Sequence, residues 1–170
     1  MKLDAPLVGD RIVVRNYTPE DLAFSTGMWF DPVNGRYLSD PEVDFVDGTY
    51  QKALDGLQDS GEGYYLVAFL GEERVGTCCL FPDKVGEVWD IGYCIHQSRW
   101  RQGFGTELVE LMVEWVRKRG GSAVTAEVAK ENPSSRALLE KCGFTAVGEG
   151  SFRKYNMAVR FDSLFYEKRL

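Results

Sequence analysis

One histidine, His96, stands in 170 residues, so a metal site built from several imidazoles is excluded. The four cysteines, Cys78, Cys79, Cys94 and Cys142, form no C-x-x-C pair and fit no zinc spacing. In their apolar surroundings they read as reduced, buried thiols that pack as small hydrophobes. No apolar run approaches the roughly 20 residues that cross a bilayer. The start, Met1-Lys2-Leu3-Asp4, carries no apolar secretory stretch. The expectation is a cytoplasmic protein that engages no membrane. Basic side chains are outnumbered, 20 against 26, and the net charge of −6 argues against general nucleic-acid binding. Internal repeats, low-complexity tracts and linkers are absent, so residues 1–170 read as one domain with one core.

The charge is unevenly spread. Residues 1–60 carry 5 basic and 11 acidic side chains, whereas residues 101–170 carry 12 and 9. An acidic front suits a cationic amine and a basic back suits a phosphorylated ligand, although plain solvated surface would look the same. Strands are expected at 11–17, 64–70, 74–81, 87–95, 122–129, 144–150 and 162–169, from β-branched and aromatic runs bounded by turn residues. Thr18-Pro19 opens a helix ending near Trp29 or Phe30. A second helix covers Gly48 to Gln58 and ends at Ser60-Gly61. The clearest helix is 104–119, with Phe104, Leu108, Leu111, Met112, Trp115 and Val116 on one face. A short one spans 133–142. The fold class is α/β (α+β): a mixed, mostly antiparallel sheet of six to seven strands with about four helices on its faces.

The informative stretch is Trp100-Arg101-Gln102-Gly103-Phe104-Gly105-Thr106-Glu107, which follows a strand and opens the best helix. Two glycines one residue apart let the backbone approach a ligand closely. Unpaired N–H groups at a helix start favour an anion there. This is a phosphate-holding loop, to which Arg101 can add a charged contact. It is neither a dinucleotide fingerprint, because Leu108 stands where a third glycine is needed, nor a P-loop, whose G-K-[ST] is missing.

Together, Asp90-Ile91-Gly92-Tyr93 and Trp100-x-x-Gly103-x-Gly105-Thr106-Glu107 resemble the coenzyme A motif of GNAT acetyltransferases, in the RimJ/RimL-like branch. The run from Asn132 to Phe144 is similar to the branch's second motif, and Asp162 with Tyr166 to its terminal strand. The resemblance implies a GNAT fold and acetyl-CoA as cosubstrate, with no metal. It implies that main-chain groups of Cys94, Ile95 and His96 pair with the pantetheine. Amides of Arg101, Gln102, Gly103, Phe104, Gly105 and Thr106 would hold the pyrophosphate. Asn132 would contact the pantetheine and Ser135 would lie near the thioester sulfur. Asn132 before Pro133 is equally a helix cap, Ser135 can be a capping residue, and Trp100 can simply pack. The sequence departs from the family at Leu139, where many members carry a tyrosine acid, at Gln97 for a proline, and at Asp90 for a glutamate.

The implied activity is transfer of an acetyl group to a primary amine, by direct attack in a ternary complex. The amine must lose a proton to attack. Asp90 is the first candidate base and Glu87 the second, with His96 a further possibility. Asp90 is also read as accepting structural hydrogen bonds. Cys94 is not expected to be a nucleophile. Ser135 is the candidate donor to the thiolate. The acceptor, a small amine or a peptide N-terminus, is expected near Trp29, Phe30, Arg36, Tyr37 and Trp89. A homodimer is compatible with the sequence. The competing reading is a non-catalytic acyl-CoA-binding sensor or scaffold.

Overall fold

A computed structural model describes residues 1–42, 47–59 and 61–170. Ser60, expected at the end of the second helix, lies outside the described residues. Eight strands form one sheet: β1 (Leu7–Val8), β2 (Val13–Asn16), β3 (Tyr64–Leu70), β4 (Glu73–Pro82), β5 (Val88–Ile95), β6 (Ala123–Ala129), β7 (Thr145–Arg153) and β8 (Arg160–Arg169), in the order β1-β2-β3-β4-β5-β6-β8-β7. Every neighbouring pair is antiparallel except β5–β6. The strand beyond the six to seven expected is the two-residue β1, too short to carry an alternating pattern. The helices are α1 (Leu22–Trp29), α2 (Gly48–Gly56), α3 (Phe104–Lys118) and α4 (Pro133–Lys141).

Local signals account for most boundaries. Thr18 and Asp21 form a reciprocal capping box over a 3-10 turn, Pro19–Asp21, which delays the start of α1. Asp47 caps α2 through the N–H groups of Thr49 and Tyr50. The buried face of α3 is Phe104, Leu108, Val109, Met112, Val113 and Val116. Leu111 and Trp115, expected on that face, are only partly buried because the stripe drifts toward Val109 and Val113. Leu108 and Met112 are fully buried, each worth about 1.5–3 kcal/mol.

The feature that matters most is where one ladder stops. β5 pairs β6 in parallel over three positions only, from Val88↔Ala123 to Asp90↔Thr125. β6 then follows β8 to Ala129 while β5 follows β4 to Ile95. The two central strands therefore part, and past Asp90 no described strand covers that edge of β5.

Candidate active site

Strand alternation decides which groups face the gap. The His96 N–H donates to the Val75 carbonyl at 2.9 Å, so His96, Cys94 and Gly92 direct their main-chain groups toward β4. Tyr93 and Ile95 face the gap, and the Ile95 carbonyl is taken by the Trp100 indole N–H at 2.7 Å. The edge offered to a ligand is thus centred on Tyr93, with the Ile95 N–H beside it. Of the three residues named from the resemblance, only Ile95 turns main-chain groups this way.

The loop from Trp100 to Gly103 closes one end of the gap. Arg101 and Gly103 have φ of 60° and 85°, the left-handed region, which curls the chain so that α3 starts directly after it. The N-cap is Gly103, and no described side chain caps the helix. The first intrahelical bond is Glu107 N–H to the Gly103 carbonyl, so the amides of Phe104, Gly105 and Thr106 have no helical acceptor. Gly105 has a packing reason as well: a Cβ there would lie 2.6 Å from Leu138 of α4. Arg11, read in the sequence only as the start of the first strand, buttresses the loop. Its guanidinium donates to the Gln102 carbonyl at 2.8 Å, pairs with Glu107 at 2.8 Å, and lies 4.3 Å from the Phe104 ring centroid. Glu107 also accepts the Arg11 and Ile12 N–H groups. The motif glutamate therefore fastens the residues that lead into β2 to α3.

Across the gap, the Asn132 carboxamide oxygen accepts the Ser135 N–H at 3.1 Å and caps α4. That leaves the Ser135 hydroxyl free of capping duty, and it bonds the Tyr93 hydroxyl at 2.7 Å. Burial, more than the Ser135 bond, sets the phenol, raising its pKa above the ordinary value and keeping it protonated. Tyr93 is the phenol sequence reasoning missed while noting its absence at Leu139. Leu139 itself is buried in the core.

On the opposite face of β5 lies a cavity of about 400 Å³, walled by α1, α2, β3, β4 and the 92–94 segment of β5. Trp29 lines it, with its indole N–H on Thr77 Oγ1 at 2.9 Å. The Phe30 ring packs tilted against the lining residue Tyr50, with centroids 5.8 Å apart. Asp40 is the sole carboxylate among its described lining residues. Cys94 lines it too, its thiol pushed up to about 12, chiefly by burial. Asn34, 9% exposed, ties the α1–α2 connection to β5: its amide donates to Cys94 Sγ and to the Ile95 carbonyl and its oxygen accepts the Gln97 N–H.

Other candidates are placed elsewhere. Trp89 alternates onto the α3 face, where it packs edge-on to Trp115 at 5.2 Å. Tyr37 packs on Phe161, and exposed Arg36 lies over Tyr37. His96 stacks on Phe24 at the surface and bonds Ser98. Asp90 is exposed and accepts the Thr125 hydroxyl at 3.0 Å. Crowding by protein atoms, then Glu127, raises its carboxyl pKa against that bond. Neither Asp90 nor Glu87 lines the cavity. Among the described residues, no group of three or more His, Cys, Asp and Glu side chains is placed to hold a metal ion, and no helix is long and apolar enough to cross a membrane. The described cysteines are all unpaired thiols, and Cys79 alone is only half-buried.

Comparison with known proteins agrees with this geometry. A family model described as an acetyltransferase (GNAT) domain matches residues 11–145. An uncharacterized N-acetyltransferase, YvbK of Bacillus subtilis, is 27% identical over 107 residues, which is 63% of this chain and 63% of that protein, so the alignment spans under two thirds of either. In fold, the chain is similar to spermidine N-acetyltransferase from Vibrio cholerae in complex with CoA and spermine (TM-score 0.78, 16% identity, 94% of this chain and 95% of that one). It is equally similar to the Salmonella typhimurium acetyl transferase that modifies the N-terminal serine of ribosomal protein L7/L12 (TM-score 0.79, 16% identity, 98% and 99%). With its parted central strands, its uncapped helix and a family match over most of its length, the chain belongs to the GNAT acetyltransferase family.

Proposed function

We propose that this protein transfers the acetyl group of acetyl-CoA to a primary amine held in the cavity on the α1–α2 side of β5. One observation carries the reading. The uncovered edge of β5 and the cavity meet at Tyr93, which turns its main-chain groups to that edge and lines the cavity together with Gly92 and Cys94. A thioester lying along one side and an amine entering from the other would come together there, and proximity supplies much of the rate. The residues fit coenzyme A: three amides at the start of α3 without helical acceptors, a Gly103 N-cap with no Cβ, and exposed Arg101 suit a pyrophosphate. Acetyl-CoA supplies an activated carbonyl. This chain's part is to bind, orient and move protons.

The Tyr93–Ser135 hydroxyl pair is suited to donating a proton to a thiolate beside α4, where the helix start also favours negative charge. Attack is direct, because Cys94 is held as a neutral thiol. A 400 Å³ cavity suits a small amine or the first residues of a peptide. The test is a panel of small amines and short peptides assayed with acetyl-CoA, alongside Ser135→Ala. The variant is expected to lose ~10²-fold in turnover while keeping acetyl-CoA affinity. Binding of CoA with no transfer to any acceptor would instead favour a sensor or scaffold. A destabilised but fully active Ser135→Ala protein would return the serine to a structural role.

A further inference from the structure

Among its described lining residues the cavity has one acid, and it is not the one the sequence points to. Asp40 sits in the α1–α2 connection among Trp29, Tyr50, Tyr65 and Phe81, with Cys79 and Cys94 on the β4 and β5 walls. The Tyr50 hydroxyl donates to Asp40 Oδ1. The segment that carries Asp40 is held from outside by a cation that contributes nothing to the cavity wall. Lys154, 2% exposed at the tip of the β7–β8 hairpin, donates to the carbonyls of Gly35 at 2.8 Å, Leu38 at 3.1 Å and Asp40 at 3.2 Å, and pairs with Glu42 at 3.3 Å. The Tyr155 N–H adds a bond to the Ser39 carbonyl at 2.7 Å. Lys154 thus spends its donors on the main chain and on Glu42, and reaches the Asp40 carboxylate only through space. A carboxylate fixed by its backbone, braced by one phenol and surrounded by aromatic faces is a receptor for an ammonium group.

We infer that Asp40 binds the acceptor as its ammonium ion and then takes its proton, making it the general base of the transfer, with Tyr50 as the residue that positions it. The inference rests on the acetyl-transfer reading. The amine enters as R–NH3+. One N–H proton passes to an Asp40 oxygen and later to solvent. The freed lone pair forms the C–N bond as the C–S bond breaks, with its electron pair leaving on sulfur. The second proton lost from nitrogen balances the one that neutralises the thiolate.

The groups facing Asp40 set its titration. Burial raises the carboxyl above its ordinary value, while the Tyr50 bond, its own main-chain N–H and the Lys154 charge oppose this. Tyr65, Cys79 and Cys94 face it from β3, β4 and β5, all with pKa values raised chiefly by burial, so they are neutral near pH 7. A carboxyl with a raised pKa is a better proton acceptor than an ordinary one. Turnover must then fall as pH drops through the Asp40 pKa.

The experiment uses the full chain with 2-phenylethylamine, n-butylamine and an alanyl dipeptide as probes. CoA and amine affinities are read by calorimetry and turnover is read across pH. Asp40→Asn, which keeps an oxygen for Tyr50, is expected to retain CoA affinity, weaken amine binding about tenfold or more, lower turnover ~10²-fold or more and remove its acid limb. Tyr50→Phe removes a bond that lowers the Asp40 pKa, so the limb is expected to move to higher pH. An Asp40→Asn protein with wild-type amine affinity and an intact limb would overturn the inference, as would loss of that limb in Asp90→Asn alone. A wild-type chain that binds CoA but none of the probes also overturns it while leaving the CoA site standing. A chain that binds no CoA sinks the acetyl-transfer reading and this inference with it.

Discussion

The two sides of β5 are built by different means. The α3 side is local: residues 100–107 supply a loop, a helix start and its unpaired amides within eight consecutive positions, braced by Arg11. The α1–α2 side is assembled from afar. Its cavity draws on α1, α2, β3, β4 and β5, and its outer wall is tied down by a lysine 114 to 119 positions away. The first kind of site is formed mainly within one short stretch, with Arg11 as its distant brace. The second exists only when the whole sheet has formed, so the two are expected to fail independently.

The strongest separation comes from Lys154→Met. Removing this buried cation leaves three carbonyls without their donor and Glu42 without its partner, a loss of about 3–5 kcal/mol. Denaturant unfolding should show that drop, and calorimetry should show CoA affinity close to wild type in the folded variant. A coincident collapse of CoA binding would show that the two sides are one unit. The reverse separation is Gly103→Val. A branched side chain at φ 85° is strained, and its Cβ would lie 3.2 Å from the Arg11 guanidinium, at the mouth of the loop. CoA affinity is expected to fall ~10²-fold, the size of losing one or two charge-assisted hydrogen bonds, with the acceptor cavity unaffected. Wild-type affinity would place the phosphates elsewhere.

This contrast also explains what could be read from the chain. The helices, most strand boundaries and the loop were legible because capping residues, turn glycines and a 3.6-residue stripe act within a few positions. The roles of Arg11, Asn34, Asp40 and Lys154 were not, because nothing near Lys154 says that its ammonium will meet carbonyls at 35, 38 and 40. Trp89 was placed with the acceptor, yet strand alternation puts it on the face of β5 opposite to Asp90, against Trp115. Tyr93 was in plain view within Asp90-Ile91-Gly92-Tyr93, but its pairing with Ser135 depends on how α4 docks beside β5.

A smaller effect probes the frame of the acceptor side. Asp21 is fully buried and accepts from Arg15, Arg74 and Thr18, joining β2, β4 and the entry to α1. Burial alone would raise its pKa, but these bonds outweigh it and hold it at about 2, against 3.8 unperturbed. A pKa depressed in the folded state means that the stabilisation is complete above pH ~4 and is lost as pH falls toward 2. The expected loss is about 2 kcal/mol across that window. Thermal unfolding from pH 5 to pH 2 should show it, and Asp21→Asn should flatten that part of the profile. An unchanged profile in Asp21→Asn would mean that other carboxylates govern acid unfolding.

The smallest effect is expected at Cys94, and that smallness is informative. Its sulfur lies in the cavity wall, on the strand segment where thioester and amine are proposed to meet, so position alone would favour an acyl-cysteine. Its chemistry opposes this. Burial first, and the Asp40 charge second, push the thiol up to about 12, so only ~10⁻⁴ or less is thiolate near neutral pH. Among the described residues, the side chain bonded to it is the Asn34 amide, a donor that cannot remove a proton. Asn34 keeps the Ile95 carbonyl and the Gln97 N–H when the sulfur is gone, so the α1–α2 connection should stay in place. Cys94→Ala is therefore expected to lose about 1 kcal/mol of stability and to change turnover by no more than about threefold. Initial-rate plots should intersect for both proteins. Parallel lines in the wild type, with acetyl recovered on Cys94 by mass spectrometry and turnover abolished in Cys94→Ala, would make the acceptor wall itself the nucleophile and erase the division of labour between the two sides of β5.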